Sequence, residues 1–229
     1  MKKNLAKKIT MSILAGAMLM SSSVVWAGTG DFIDADGEGA IAITGKHGSS
    51  STANGDDSVA IGNAADATGV YAVAIGYDAD ATEKQAVAIG FQAKANYANS
   101  VAIGLQAKAK GNSSVAIGDG AKTVSEDANG EQVIGDNSTA IGSGAVASGD
   151  YSNAIGYGAK TVIEGANGDQ SIGHYSNAIG YEASADRYSN AIGYRASASS
   201  FYTTAIGQEA SASANAASAF GARASASAY

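Results

Sequence analysis

The sequence of 229 residues contains no cysteine, no proline and only two histidines. The absence of cysteine excludes a disulfide framework, and without proline no residue interrupts a hydrogen-bonded strand ladder. Aromatic residues make up 7% of the chain and leucine is scarce, whereas glycine (30 residues) and alanine are abundant. This composition favours a thin interior of small side chains over the thick core of a globular domain.

A short apolar motif, Ala-Ile-Gly or a one-residue variant, recurs eleven times between Val59 and Gly221, mostly at intervals of fourteen residues. A fixed short period predicts a solenoid of stacked, nearly identical coils. The period of fourteen does not fit three-sided coils of about eighteen residues or calcium-binding repeats of about nine, and the short apolar segments bounded by glycine do not fit helical repeats. Fourteen residues accommodate two strands of about five residues and two tight turns, which predicts a flat parallel β-roll of about twelve coils.

Each coil contains two different strand patterns. Alanines alternate with a polar residue in one of them, as in Ala65-Asp66-Ala67, which indicates one face toward a narrow interior and one toward water. The other strand is apolar on both faces, so something outside the roll should cover its second face. Alternation alone allows either face inside, and of the two arrangements we expect alanines inside the roll and Ile and Val against another copy of the chain. The predicted interface residues are Val59, Ile61, Val73, Ile75, Val87, Ile89, Val101, Ile103, Val115, Ile117, Ile141, Ile155, Ile179, Ile192 and Ile206.

The repeats Ser58–Gly62, Ser100–Gly104 and Ser114–Gly118, each reading Ser-Val-Ala-Ile-Gly, resemble the head repeats of YadA-like trimeric autotransporter adhesins. The resemblance covers about residues 40–229. It implies a left-handed parallel β-roll, a side-by-side homotrimer, display on a bacterial outer membrane and binding of host matrix or cell-surface ligands. Such proteins normally continue through a neck, stalk and membrane anchor. Because this sequence stops at Tyr229 within a coil, we expect a truncated adhesin or a secreted product.

The sequence divides into a signal peptide at 1–27, a lead-in and cap at 28–57 and head repeats at 58–229. The first segment has four lysines, an apolar stretch and the small-residue cleavage pattern ending at Ala27. Its removal leaves 10 Lys and Arg against 21 Asp and Glu, a net charge of about −11. This balance argues against nucleic acid or anionic lipid as a partner. No membrane-spanning segment is expected in the mature chain.

Two intervals between motifs measure 24 residues instead of fourteen, and the extra residues in each are similar to one another. Asn129-Gly130 and Asn167-Gly168 fit the two left-handed positions of a type I′ turn. We therefore predict β-hairpins inserted at about 121–140 and 159–178. They either brace the neighbouring chain or contact a ligand.

Tyrosines in the second half of the chain fall into two columns, four residues before and two residues after the isoleucine. Equivalent residues of adjacent coils stack about 4.8 Å apart, so these columns predict tyrosine ladders. The ladders either stabilise the roll or bind an extended protein or glycan. The candidate contact residues are Tyr151, Tyr157, Tyr175, Tyr181, Tyr188, Tyr194 and Tyr202.

The sequence offers little for catalysis or for a cofactor. His47 and His174 lack a repeated ligand pattern or a nucleophile motif, and a thin roll cannot enclose a water-free site. The acidic run at 34–38 resembles the start of a calcium loop, but position twelve is Gly45 where a glutamate is required. We therefore predict no enzyme activity, no metal and no cofactor. The remaining alternatives are an adhesin head and a passive structural or ice-binding solenoid, which would need a regular threonine array.

Overall fold

A computed structural model of the chain describes residues 24–26, 33–44, 50–126, 132–164 and 170–227. These residues form a β-solenoid in which each coil contributes one strand to each of two sheets. Strands of one sheet pair in parallel without offset, so that Val59 lies beside Val73 and Ile61 beside Ile75. The predicted all-β roll with two strands per coil and about twelve coils is confirmed.

One sheet, called the apolar sheet below, has thirteen strands in the described part of the chain, and eleven of them carry the Ala-Ile motif. Its strands are Val24–Trp26, Ile41–Ile43, Val59–Ile61, Val73–Ile75, Val87–Ile89, Val101–Ile103, Val115–Ile117, Thr139–Ile141, Asn153–Ile155, Asn177–Ile179, Asn190–Ile192, Thr204–Ile206 and Ser218–Phe220. The opposite sheet, called the polar sheet, carries the alternating small and polar residues. Its strands are Ile33–Asp34, Ser51–Thr52, Asp66–Ala67, Asp80–Ala81, Lys94–Ala95, Lys108–Ala109, Ser184–Ala185, Ser197–Ala198, Ser211–Ala212 and Ser225–Ala226. Single-residue parallel bridges connect the two runs through Lys108, Lys122, Val146, Lys160 and Ser184.

Alanine fills the space between the two sheets. Ala60 in the apolar strand, Ala65 just before the polar strand and Ala67 within it have no exposed surface, and the same holds for the equivalent alanines of nearly every coil. Val59 and Ile61 point out of the roll and are half-buried. The predicted placement of alanine inside the roll is therefore confirmed. Methyl groups are small enough to let two sheets approach closely while excluding water.

The strands are shorter than predicted, with three residues in the apolar sheet and two in the polar sheet instead of about five. The chain bends sooner because Gly62 and Ala64 both have positive φ, 135° and 53°. A Cβ on Gly62 would lie 2.3 Å from the carbonyl oxygen of Gly76 in the next coil, so glycine is required there. Other left-handed positions hold larger residues, such as Tyr71 at φ 61°. Glycine therefore accounts for only part of the turns.

Each 24-residue interval contains an antiparallel pair of strands, called the first and second hairpin. The strands are Val124–Glu126 with Gln132–Ile134, and Val162–Glu164 with Gln170–Ile172. Glu126 lies opposite Gln132, whereas an uninterrupted two-residue loop at 129–130 would place it opposite Val133. The second hairpin has the same register. The strands therefore do not fit the simple type I′ connection that we predicted, and the turn residues themselves lie outside the described residues.

The predicted signal peptide at 1–27 lies outside the described residues except for Val24–Trp26. This strand pairs in parallel with Ile41–Ile43 at the end of the apolar sheet. Residues of the predicted lead-in, Ile33–Asp34 and Ser51–Thr52, pair with each other in the polar sheet. Coil stacking thus begins before Ser58. Cleavage after Ala27 stays a prediction, and it would remove the first strand from the sheet.

Candidate functional site

The outward face of the apolar sheet carries two columns of side chains, an isoleucine column and a column that holds valine in the first half of the roll. In-register pairing repeats Val59 and Ile61 from coil to coil. Ile141, Ile192 and Ile206 keep 36% to 38% of their surface exposed although neighbouring coils flank them. The structure brings all the predicted interface residues onto this one face. A long exposed apolar surface is typical of a site that another chain covers.

The valine column becomes polar in the second half of the roll. Asn153 Nδ2 donates a hydrogen bond to Asn177 Oδ1, and Asn177 Nδ2 donates one to Asn190 Oδ1, both 2.8 Å long. Thr139 and Thr204 continue this column on either side. The amides therefore form a ladder along the roll, beside an isoleucine column that remains apolar.

The first tyrosine column lies in the turn that leads into the apolar strand. Tyr151, Tyr175, Tyr188 and Tyr202 stack with ring centroids 5.1 to 5.4 Å apart and interplanar angles of 4° to 11°. All four have left-handed backbones, with φ between 54° and 59°. That conformation costs about 1 kcal/mol or more for a residue with a side chain. Stacking contributes about 0.5 to 1.5 kcal/mol per pair and offsets this cost.

The second tyrosine column lies in the turn that leaves the apolar strand. Tyr157 stacks on Tyr181 at 5.2 Å, and Tyr181 stacks on Tyr194 at 5.3 Å. The guanidinium of Arg195 lies 5.2 Å from the centre of the Tyr194 ring, and its Nε donates to Glu182 Oε2 at 2.8 Å. The predicted tyrosines thus form two stacks, and each of these residues keeps between 41% and 64% of its surface exposed.

Charges beside the second column shift two pKa values. The Glu182 carboxylate raises the pKa of Tyr181 above its usual value, because a negative charge opposes formation of a phenolate nearby. The hydrogen bond to Glu182 raises the pKa of Arg195. Arginine is cationic in any case, so Arg195 supplies a positive charge at the edge of the stack.

A third aromatic stack was missed by the sequence analysis. Tyr77 and Phe91 stack at 5.1 Å with an interplanar angle of 11°, and Leu105 follows them in the next coil. All three are 47% to 53% exposed. They occupy the same position, two residues after the isoleucine, as Tyr157. The sequence shows this position in each coil, but a search for tyrosine alone does not detect a column made of Tyr, Phe and Leu.

The polar sheet presents charged side chains in its first half and serines in its second. Lys94 forms a salt bridge of 3.9 Å with Asp80 of the preceding coil. His174 Nδ1 accepts a hydrogen bond of 3.0 Å from the Asp150 backbone amide, whereas His47 lies outside the described residues. Within the described ranges, no three His, Cys, Asp or Glu side chains are grouped as a metal site would require.

No helix in the described part of the chain is both long and apolar enough to cross a membrane. No curated protein matches the chain in sequence.

A family model described as the YadA head domain repeat (2 copies) matches the chain repeatedly. The matched residues are 48–65, 67–93, 98–121, 134–159, 187–210 and 198–224. Together they make up more than half of the chain, and the strands of both hairpins fall almost wholly outside them. Proteins with this head are homotrimeric and adhesive in general, and the family and its β-solenoid fold are typically non-enzymatic. The regular coil, the exposed apolar columns and these matches agree, and the chain belongs to the YadA head domain family.

Proposed function

We propose that this chain is the binding head of an exported trimeric surface adhesin, which contacts a host extracellular matrix protein or glycan through its long lateral surface. Family membership carries the proposal. The chain's own geometry is consistent with it, because the roll offers extended outer surfaces and alanine leaves no enclosed interior for a small substrate. Repeated weak contacts along such a surface gain strength when three copies present them together.

The apolar sheet supports the trimeric part of the proposal. Its Ile column continues from the first half into the second, its Val column spans the coils between residues 59 and 117, and both remain partly exposed in the single chain. Three rolls arranged side by side would cover these columns against each other. The polar sheet and the turns would then face outward and remain available to a ligand.

The tyrosine columns support the binding part. Their rings are rigid because each is stacked on the next, yet about half of each ring is exposed. Aromatic side chains that lose little conformational freedom are the residue type most enriched at binding hot spots. Arg195 adds a cation that can pair with an acidic group.

The alternative of an ice-binding solenoid has less support. Such a surface requires a flat and regular row of exposed threonines. Thr203 is fully buried, and Thr139 and Thr204 are separated in their column by three asparagines. This spacing interrupts any threonine row.

Adhesion of the full chain to matrix-coated surfaces tests the proposal. Replacing Tyr157, Tyr181 and Tyr194 by serine should weaken adhesion about tenfold and leave the β circular dichroism spectrum intact. The matched control is Tyr77→Ser with Phe91→Ser, which removes an equally stacked pair from the first half and should leave adhesion largely unchanged. If the tyrosine variant adheres normally but melts at a lower temperature, the stacks serve the fold and the binding proposal for them is wrong.

A further inference from the structure

We propose that the chain has a second binding site, a lysine-lined cleft between the polar sheet and the first hairpin that takes the sulfate or carboxylate groups of an acidic polysaccharide. This site lies apart from the tyrosine columns and does not depend on them. The cleft has a volume of about 270 Å³. It is lined by Lys108, Lys110, Lys122, Val124, Ser125 and Gln132.

The lysines converge because of how the coils stack. Lys108 and Lys122 occupy the same position in consecutive coils and form a parallel bridge, which places their backbones about 4.8 Å apart. Lys110 follows two residues after Lys108, and its Nζ donates a hydrogen bond of 3.1 Å to Gln132 Oε1 on the hairpin. The hairpin therefore closes one side of the cleft and holds the third lysine toward it.

The positive charge in this cleft is not balanced by its described neighbours. Lys94, one coil away in the same column, is paired with Asp80. Lys108 and Lys122 make no salt bridge with any described side chain. Like charges at facing positions of adjacent strands repel each other, so an anion bound between them would relieve a repulsion as well as form new contacts.

Ser125 provides a second and independent observation. Its hydroxyl oxygen is buried and has no hydrogen-bond partner in the described part of the chain, although buried polar atoms are normally paired. Because Ser125 is partly exposed and lines the same cleft as the three lysines, rotation of its side chain would let a ligand oxygen accept the missing hydrogen bond. Three cations beside an unpaired hydroxyl are suited to a sulfate or carboxylate.

An adjoining groove indicates that the anionic group belongs to a glycan chain. This groove of about 650 Å³ shares Lys110 with the cleft and is also lined by Glu83, Asn96, Tyr97, Ala98 and Asn112. Tyr97 belongs to neither tyrosine column and offers a ring for a sugar to pack on. Asn96 and Asn112 offer amides that can hydrogen-bond hydroxyl groups. An extended acidic polysaccharide could occupy the groove and the cleft together.

The second hairpin supplies an internal comparison. Lys160 corresponds to Lys122, but Val146 stands in the preceding coil where Lys108 stands beside the first hairpin. Ser148 replaces Lys110, and Ile163 replaces Ser125. The two hairpins share a backbone register but not this chemistry. Only the first should bind the acidic polysaccharide.

The test measures binding of the full chain to heparin, with desulfated heparin and neutral dextran as comparisons. Heparin should bind, and dextran should not. Exchanging Lys108, Lys110 and Lys122 together for glutamine should weaken heparin binding about tenfold, whereas exchanging all three for arginine should preserve it. The matched controls Lys160→Gln and Lys94→Gln should change binding less than about twofold. Retention of binding to desulfated heparin would assign the site to carboxylates, and its loss would assign the site to sulfates.

A variant of Ser125 separates a ligand contact from a structural role. Ser125→Ala removes an unpaired buried hydroxyl, so the melting temperature should stay constant or rise. Heparin binding should nevertheless weaken about fivefold.

The first hairpin also carries Glu126, Asp127 and Glu131, which could neutralise the lysines within the protein. In that case heparin would bind no better than dextran, or the glutamine variant would bind like the unchanged chain, and either result would overturn the proposal.

Discussion

In the coils between residues 59 and 117, valine stands two residues before isoleucine in the apolar sheet, whereas from residue 139 onward that position holds threonine, asparagine or serine. The polar sheet changes as well, from aspartate and lysine at 66–122 to serine at 184–225. The interior does not change, since fully buried alanines occur in both halves. The difference teaches that the same coil accepts different outward residues on both sheets as long as the alanine interior is kept. Its outward positions are free to acquire separate binding and assembly roles.

The largest expected difference between the halves concerns the exposed isoleucine column. If three chains cover this column, Ile89→Asp with Ile103→Asp places two unpaired charges in an apolar seam and should weaken assembly by about 5 kcal/mol. The corresponding change in the second half, Ile179→Asp with Ile192→Asp, should weaken assembly by about half that free energy. The neighbouring asparagine ladder can hydrogen-bond a carboxylate there.

Sedimentation velocity over a wide range of protein concentration would measure this difference, because trimer formation depends on concentration. Circular dichroism would verify that each variant keeps its β structure. A compact, folded monomer of the unchanged chain at high concentration would refute the trimer itself. Equal losses in both halves would show instead that the asparagine ladder does not face the seam.

A substitution inside the roll should destabilise the two halves equally. Ala88→Leu and Ala191→Leu each add bulk at a fully buried position of the apolar sheet, one in each half. Both should lower the free energy of unfolding by about 3 kcal/mol, because two closely spaced sheets cannot make room for a leucine. Ala98→Leu, at a half-buried turn position, is the control and should change stability by less than about 0.5 kcal/mol. Urea denaturation provides the values, and a half that tolerates leucine would have a looser interior than the other half.

The smallest expected effect is confined to the second half and depends on pH. The folded state raises the pKa of Tyr181, so the folded chain holds this proton more tightly than the unfolded chain does. The resulting stabilisation is complete below the ordinary tyrosine pKa of about 10 and is lost as the pH rises from there through the raised value. Glu182→Gln should lower the Tyr181 pKa toward its ordinary value, as followed by NMR titration of that ring. A pKa unchanged by this substitution would assign the shift to another cause.

Much of the fold could be predicted from the sequence because its signal is repeated. The fourteen-residue spacing predicts the length of each coil, and alternation with alanine indicates the inward face of both strands. Strand length was predicted wrongly because the left-handed backbone at positions such as Ala64 and Tyr71 is not encoded by glycine. In the second half, ring stacking between Tyr151, Tyr175, Tyr188 and Tyr202 accompanies the same left-handed backbone, and a search for glycine cannot detect such positions.

The candidate sites were less predictable, for a different physical reason. The seven tyrosines belong to regular columns, so periodicity alone finds them. The lysine cleft brings together Lys110 and Gln132, which are 22 residues apart, only because the hairpin lies against the polar sheet. An insertion breaks the period, and neither the pairing register of its strands nor the surface that it covers can be derived from the repeat.

The interval between Ile179 and Ile192 has thirteen residues, yet these two strands pair without offset. The missing residue is absorbed in the turn around Asp186, and the next coil returns to the same cross-section. Every coil therefore ends where an identical coil can begin. A gene encoding this head could gain or lose single coils by recombination between its repeats, and each event would change the reach of the head by about 4.8 Å without a compensating substitution elsewhere.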